Sequence, residues 1–335
     1  MIWLTWRQFR TQAAVLFAAV AALAATLAVT GPQLADLYRT AGSSLVDRLS
    51  SSDQTLYYTG LLVVLAVPAV IGMFWGAPLI SRELESGTHY LAWNQGVTRT
   101  RWLATKLGLG ATASMTAAGV AALAVSWWSS PVDRAVNSGG STDTYFPRLD
   151  PVAFAARGVV PMAYAAFAFV LGVALGLVIR RTLPAMATTL AAYIAAQIAV
   201  PLWIRPHLAA ADRTTVPIVP DGPPISVQEG AKEIVVHLDK PGAWLTSQQT
   251  LTAAGQPTTV PSSFADCLRV DSGPPSLQQF EGCLADLGAL GYRQQVTYQP
   301  AGNFWALQWA ETGLYLGVAL TLTGFCAWWI RRRLT

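Results

Sequence analysis

Cutting the chain at its charged residues leaves six stretches long enough to span about 30 Å of hydrocarbon, a thickness that takes roughly 20 helical residues. They run over Thr11–Leu34, Gln54–Ser81, Leu107–Val132, Gly158–Ile179, Thr182–Ile204 and Thr312–Ile330. In lipid no water satisfies an open backbone, so each is expected to be a helix. The sixth is expected to start earlier, near Phe304 or Trp305, which brings Glu311 inside it. Composition agrees: 53% of the 335 residues are hydrophobic and only 12% charged, against roughly 25% charged in an ordinary soluble domain. A mainly soluble enzyme is excluded.

The Lys and Arg residues of the short segments set the expected orientation. With both termini in the cytoplasm, the inner segments hold Arg7, Arg10, Arg82, Arg99, Arg101, Lys106, Arg180, Arg181, Arg331, Arg332 and Arg333 against only Glu83 and Glu85. The opposite topology would put every short basic cluster outside. The net charge of +4 follows this pattern and forms no interleaved basic and aromatic patch, so nucleic acid is not an expected partner. The first span is read as retained, because its apolar run is long for a signal core and no small-x-small cleavage site follows. Ahead of it, Ile2, Trp3, Leu4, Trp6 and Phe9 surround Arg7 and Arg10. This mixture suits either a helix at the headgroup level or an extension of the span.

The expected organisation is spans one to five over residues 1–204, a polar region over 205–303, and the sixth span with its tail over 304–335. Pro32 to Asp53 reads as a short outer connection with a weakly amphipathic pattern, and Pro131 to Pro151 as an outer loop with little structure. The polar region is large enough to fold. Its Pro-rich start, Val216-Pro-Ile-Val-Pro-Asp-Gly-Pro-Pro, reads as a linker. Glu233 to Leu238 and Tyr292 to Tyr298 read as strands, and Leu277 to Leu287 as a helix with Phe280, Cys283, Leu284 and Leu287 on one face. The fold class is therefore an α-helical polytopic membrane protein, six transmembrane helices with a small α+β extracytoplasmic domain between helices five and six. Cys267 and Cys283 in an exported domain read as a disulfide, free thiols being the alternative. Cys326 in an apolar run reads as a small apolar side chain.

Catalytic constellations are missing. There is no Gly-x-x-x-x-Gly-Lys-Ser/Thr phosphate loop, so any ATP that drives this chain must be bound by another subunit. His89, His207 and His237 lie far apart and lack metal-site spacing. The spans contain no clear intramembrane His and no pair of nearby acidic residues of the kind membrane proteases need.

Two ionisable residues lie within or beside spans, Arg157 before the fourth and Glu311 in the extended sixth. Both are expected on the outer side, where they could pair with each other or touch a polar substrate. Glu311 lies between Trp305, Trp309 and Tyr315, which favours an interfacial belt over substrate contact. Gly72-Met-Phe-Trp-Gly76 and Gly172-Val-Ala-Leu-Gly176 place glycines four apart, which lets another helix backbone approach. Pro68 is expected to kink the second span.

The cytoplasmic loop, residues 81–106, holds more than a passive connection needs. Acidic residues come first, then Gly87-Thr88, a turn at Asn94-Gln95-Gly96, and basic residues leading back into the membrane. Leu84, Tyr90, Leu91 and Trp93 would be costly in water and suggest docking against headgroups or a protein.

On these residues the chain resembles the type-2 permeases of ATP-binding-cassette exporters. Their corresponding loop carries Glu-x-x-x-Gly-Thr, a turn, an Arg, and a Lys entering the third span. Glu83-Leu-Glu-Ser-Gly87-Thr88, Arg99 and Lys106 match, while Asn94-Gln95-Gly96-Val97 replaces the usual Pro-containing turn. The six-span plan matches too, and the long polar region ending Tyr298-Gln-Pro-Ala-Gly-Asn-Phe-Trp looks like a branch of such permeases in high-GC Gram-positive bacteria. The resemblance implies a plasma-membrane half-transporter. Two permease chains, identical or paralogous, would form the pathway, and two separate ABC ATPase subunits holding ATP and Mg would dock on their loops. Arg82, Glu83, Glu85, Gly87, Thr88, Arg99, Arg101 and Lys106 would make up the ATPase-coupling loop.

A permease of an ATP-driven exporter is the leading expectation, and a membrane sensor or immunity protein with an outer ligand-binding domain is the alternative. Apolar walls with few charges suit a lipid-like or drug-like cargo.

Overall fold

The computed structural model describes residues 2–87, 98–139, 145–228, 233–238, 240–269 and 276–333. The chain divides into two compact units, Met1–Leu208 with Phe304–Thr335, and Ala209–Asn303. Among the described residues, six helices are long and apolar enough to cross a membrane.

The first helix, α1 (Ile2–Ala41), runs through Pro32 well beyond the expected Leu34. From Arg10 onward its fully buried apolar side chains begin Ala13, Val20, Leu27 and Leu34, each seven residues after the last. That spacing draws one narrow seam along a helix, and the seam lies against α5 (Arg99–Asn137). Trp128 of α5 donates to the Thr30 hydroxyl of α1 at 2.9 Å. After a 3-10 turn at Gly42–Ser44 and the short α2 (Leu45–Arg48), Ser50 opens α3 (Ser51–Val70) with a capping box, its side chain and that of Asp53 exchanging backbone amides.

Beyond Pro68 the second span widens into a π-helical turn over Ile71–Gly76 before continuing as α4 (Ala77–Glu85). The third span, α5, continues through Pro131 to Asn137, where the sequence suggests a loop. Val132, Ala135 and Val136 are buried there, and that packing outweighs the missing proline donor. After α6 (Pro151–Ala155) comes α7 (Val160–Ile179), the central helix, packed against α3, α4, α5, the π turn and both later spans.

α7 ends at Arg180, which lies in the left-handed region at φ 59°. α8 (Thr182–Ala199) follows at once and ends in a second π-helical turn, Val200–Ile204, and a 3-10 turn, Arg205–His207. The last span is α11 (Phe304–Arg333).

Glycines bring α7 and the second span into backbone contact. A Cβ on Gly72 would sit 2.7 Å from the Ala168 carbonyl oxygen, and one on Gly176 2.5 Å from that of Ala77. Gly76 faces the Phe169 carbonyl, and Gly172 faces Gly72 and Gly76. The two glycine pairs thus pack against each other, the close approach that small residues allow.

The second unit is built on a four-stranded antiparallel sheet in the order β1 (Asp212–Pro217), β6 (Arg293–Gln299), β4 (Trp244–Leu251), β5 (Pro257–Thr258). A separate hairpin pairs β2 (Ile225–Gln228) with β3 (Glu233–Val236). Ile218, Ile234, Val236, Phe264, Leu284, Leu287 and Val296 form its core with Cys283. The Pro-rich stretch is not a free linker: β1 reaches Pro217 and Ile218 is fully buried. Helices α9 (Ser262–Cys267) and α10 (Leu277–Ala289) are joined by the Cys267–Cys283 disulfide, Cα atoms 6.0 Å apart. Glutamines stitch hairpin to sheet. Gln248 accepts from the Val236 amide at 2.9 Å and donates to its carbonyl at 3.0 Å, and Gln294 donates to the Ile234 carbonyl at 2.9 Å.

Candidate functional site

Polar side chains in the helical unit gather at its two ends. At the end where α4 stops and α5 starts, Lys106 Nζ lies 2.5 Å from Glu83 Oε1 and 3.4 Å from the Leu79 carbonyl. The ammonium also sits 4.8 Å from the centre of the Trp102 ring. Lys106 is 3% exposed, and a buried ammonium is tolerated only with partners of this kind. The motif residues Glu83 and Lys106, 23 positions apart, therefore join the two sides of the loop.

Glu85 turns the other way. Its carboxylate accepts from the Thr182 hydroxyl at 2.7 Å and the Thr182 amide at 3.1 Å, at the first turn of α8. Arg82 and Arg101 are exposed, Gly87 adopts a positive φ of 73°, and Arg99 opens α5. Thr88 and the expected turn at Asn94-Gln95-Gly96 lie outside the described residues.

At the opposite end, Arg205 donates to both oxygens of Glu311, Nε to Oε2 at 2.7 Å and Nη2 to Oε1 at 3.0 Å. The Tyr164 hydroxyl donates to Glu311 and lies 3.3 Å from Arg205 Nη2. The guanidinium stacks 4.3 Å from the Phe154 ring centre and reaches the Pro151 carbonyl at 3.4 Å. One turn before Glu311, Gln308 accepts from the Val159 and Val160 amides at 3.0 Å each and donates to the Phe154 carbonyl at 3.2 Å. The α11 side chain thus caps the start of α7.

Arg157 belongs to a separate cluster. It pairs with Asp133 of α5, and its Nη2 lies 3.1 Å from the Tyr57 hydroxyl of α3. Between these clusters Asp150 caps α6 by accepting from the Val152 amide at 2.9 Å. Burial holds the Asp150 carboxyl above the usual carboxylate range and pushes the nearby Tyr145 hydroxyl up to about 12.

One expectation is corrected here. Arg157 and Glu311 do not pair with each other, because each already has a nearer partner, Asp133 and Arg205. Glu311 faces away from the tryptophans beside it. Trp305 and Trp309 are 52% and 62% exposed, whereas Glu311 is fully buried and Tyr315 stacks edge-on against Tyr164. Helical phase separates them, since Phe304, Gln308, Glu311 and Tyr315 follow one inward line.

Sequence reasoning passed over Asp133, Tyr57, Tyr164, Gln308, Arg205 and Thr182. Arg205 offers one signal, a charge directly at the end of an apolar span, although the boundary at residue 205 places it in the polar region. Among the described residues, no cluster of three or more His, Cys, Asp or Glu could hold a metal.

No curated protein and no solved structure matches the chain. The family model described as ABC-2 membrane transporter related matches residues 17–205, more than half the chain, from within α1 to Arg205. The chain therefore belongs to the ABC-2 membrane transporter related family.

Proposed function

We propose that this transmembrane ABC-transporter subunit couples ATP hydrolysis on a separate ATPase subunit to export of a lipid-like or drug-like compound. The observation that carries the reading is the Lys106–Glu83 pair. It fastens the last turn of α4 to the first turns of α5. Force applied there reaches the second and third spans together. The basic residues of the short segments support a cytoplasmic placement for this loop, where ATP and Mg would be held by the docked subunit.

On the same reading both termini are cytoplasmic, the protein resides in the plasma membrane, and residues 209–303 form a domain on the far side. Residues 17–205 and the apolar helix faces support a pathway made with a second permease copy or a paralogue. The same apolar faces support a cargo with a large apolar part.

Purification of the chain from its native membrane, with its associated proteins identified, tests the reading. An ABC ATPase subunit is expected to accompany it, and Glu83→Gln is expected to uncouple ATP hydrolysis from cargo while the complex still assembles. A complex that never contains an ATPase, or unchanged coupling in the assembled variant, would overturn it.

A further inference from the structure

The first turn of α8 has no cap from its own flank. Arg181 precedes the helix in an extended conformation, with no side-chain hydrogen bond to the turn. The connection from α7 is only the pair Arg180–Arg181, with Arg180 held at positive φ. The leading amides of a helix have no intrahelical acceptor. Here the acceptor comes from another span, because the Glu85 carboxylate takes both the amide and the hydroxyl of Thr182. Its negative charge also suits the positive end of the helix dipole. Ser81, one turn earlier on α4, places its Oγ 3.3 Å from the Thr182 hydroxyl.

The rest of α8 is thinly held. Its fully buried residues are Ala185, Thr189 and Tyr193, a single line along the helix. At its far end Arg205 is clamped to Glu311. A helix with little side burial moves with a polar contact at its first turn, and the turns Val200–Ile204 and Arg205–His207 connect it to the Arg205–Glu311 pair.

We propose that Thr182 is a positioning residue for coupling: through Glu85 it passes displacement of α4 to α8 and so to the Arg205–Glu311 pair. The proposal rests on reading residues 81–106 as the loop that docks the ATPase.

The test is hydrogen–deuterium exchange of the full chain in complex with its ATPase subunit, with and without a non-hydrolysable ATP analogue. Peptides covering residues 79–87 and 182–193 are followed in the wild type, Thr182→Val and Thr182→Ser. The wild type and Thr182→Ser are expected to show a nucleotide-dependent change in both peptides. In Thr182→Val the change at 182–193 is expected to be lost while that at 79–87 persists. Loss of a cap alone would raise basal exchange at 182–193 without abolishing the response to nucleotide. Glu85→Gln, which keeps shape but weakens the acceptor, is read in the same way if the valine variant does not assemble. A wild type that responds only at 79–87, or a valine variant that still responds at 182–193, overturns the proposal and leaves the docking role standing. No response at 79–87 in the wild-type complex removes both.

Discussion

Arg205 and Glu311, 106 positions apart, meet as a two-pronged ion pair between the 3-10 turn that follows α8 and the second turn of α11, and both are fully buried. The planar guanidinium matches the carboxylate at two points, a geometry that lysine cannot reproduce. Removing one partner leaves a charge without water or counter-ion. Glu311→Ala is expected to destabilise the helical unit by about 3–5 kcal/mol. The double change Arg205→Met with Glu311→Leu should recover most of that loss. Unfolding of the purified chain in mixed SDS micelles measures both. If the double variant is no more stable than the single, the pair does not behave as a buried charge pair.

Gln308 tests whether α11 caps α7. Gln308→Leu removes an acceptor from the Val159 and Val160 amides and a donor from the Phe154 carbonyl. A loss of about 1–3 kcal/mol is expected for buried groups left unsatisfied. Gln308→Glu keeps the acceptor and should fall between wild type and leucine in the same unfolding assay. Equal stability of all three would contradict a capping role.

The glycines of α7 and α11 make a matched comparison. In Gly176→Ala the new methyl group would meet the Ala77 carbonyl 2.5 Å away, so a cost of about 1–3 kcal/mol is expected from overpacking. Gly313 and Gly317 have nothing within 4 Å of an added Cβ, and their alanine variants should stay within about 0.5 kcal/mol of wild type. Parallel melting curves in one detergent suffice to compare them.

The Cys267–Cys283 bridge closes a loop with a sequence separation of 16 between α9 and α10. Replacing both cysteines by alanine is expected to cost the second unit about 3 kcal/mol through greater freedom of its unfolded chain. Limited proteolysis would read this as faster cleavage within residues 209–303, with the helical unit unaffected. Reductant should reproduce the effect in the wild type and leave the double-alanine variant unchanged.

Much of the helical plan could be read from the sequence, because an apolar run of twenty residues has few other ways to fold in lipid. The ends of the runs could not. α5 passes through Pro131 because Val132, Ala135 and Val136 find a buried surface, and nothing local announces that surface. In the second unit, Tyr292 to Tyr298 stood out as a strand by its composition. Trp244–Leu251 did not, since five of its eight residues are Thr, Ser or Gln, and Gln248 contributes by bonding a neighbouring backbone.

The candidate polar sites divide in a similar way. Glu83 and Lys106 stand out through the loop's resemblance to the permease motif, whereas the contact between Glu85 and Thr182 joins residues 97 positions apart. Arg157 and Glu311 were visible as charges beside or within apolar spans, but their partners were not.

The sequence by itself determined six spans and a membership in one transporter family, because hydropathy and loop motifs are properties of neighbouring residues. The tertiary structure decided which face of each helix turns inward and which charges meet. α11 carries apolar side chains nearly all round, so its rotation is settled only by the partners that Gln308 and Glu311 find on α6, α7 and the 3-10 turn after α8. A buried charge is tolerated only where a distant residue arrives to pair with it, and that arrival depends on how every helix packs.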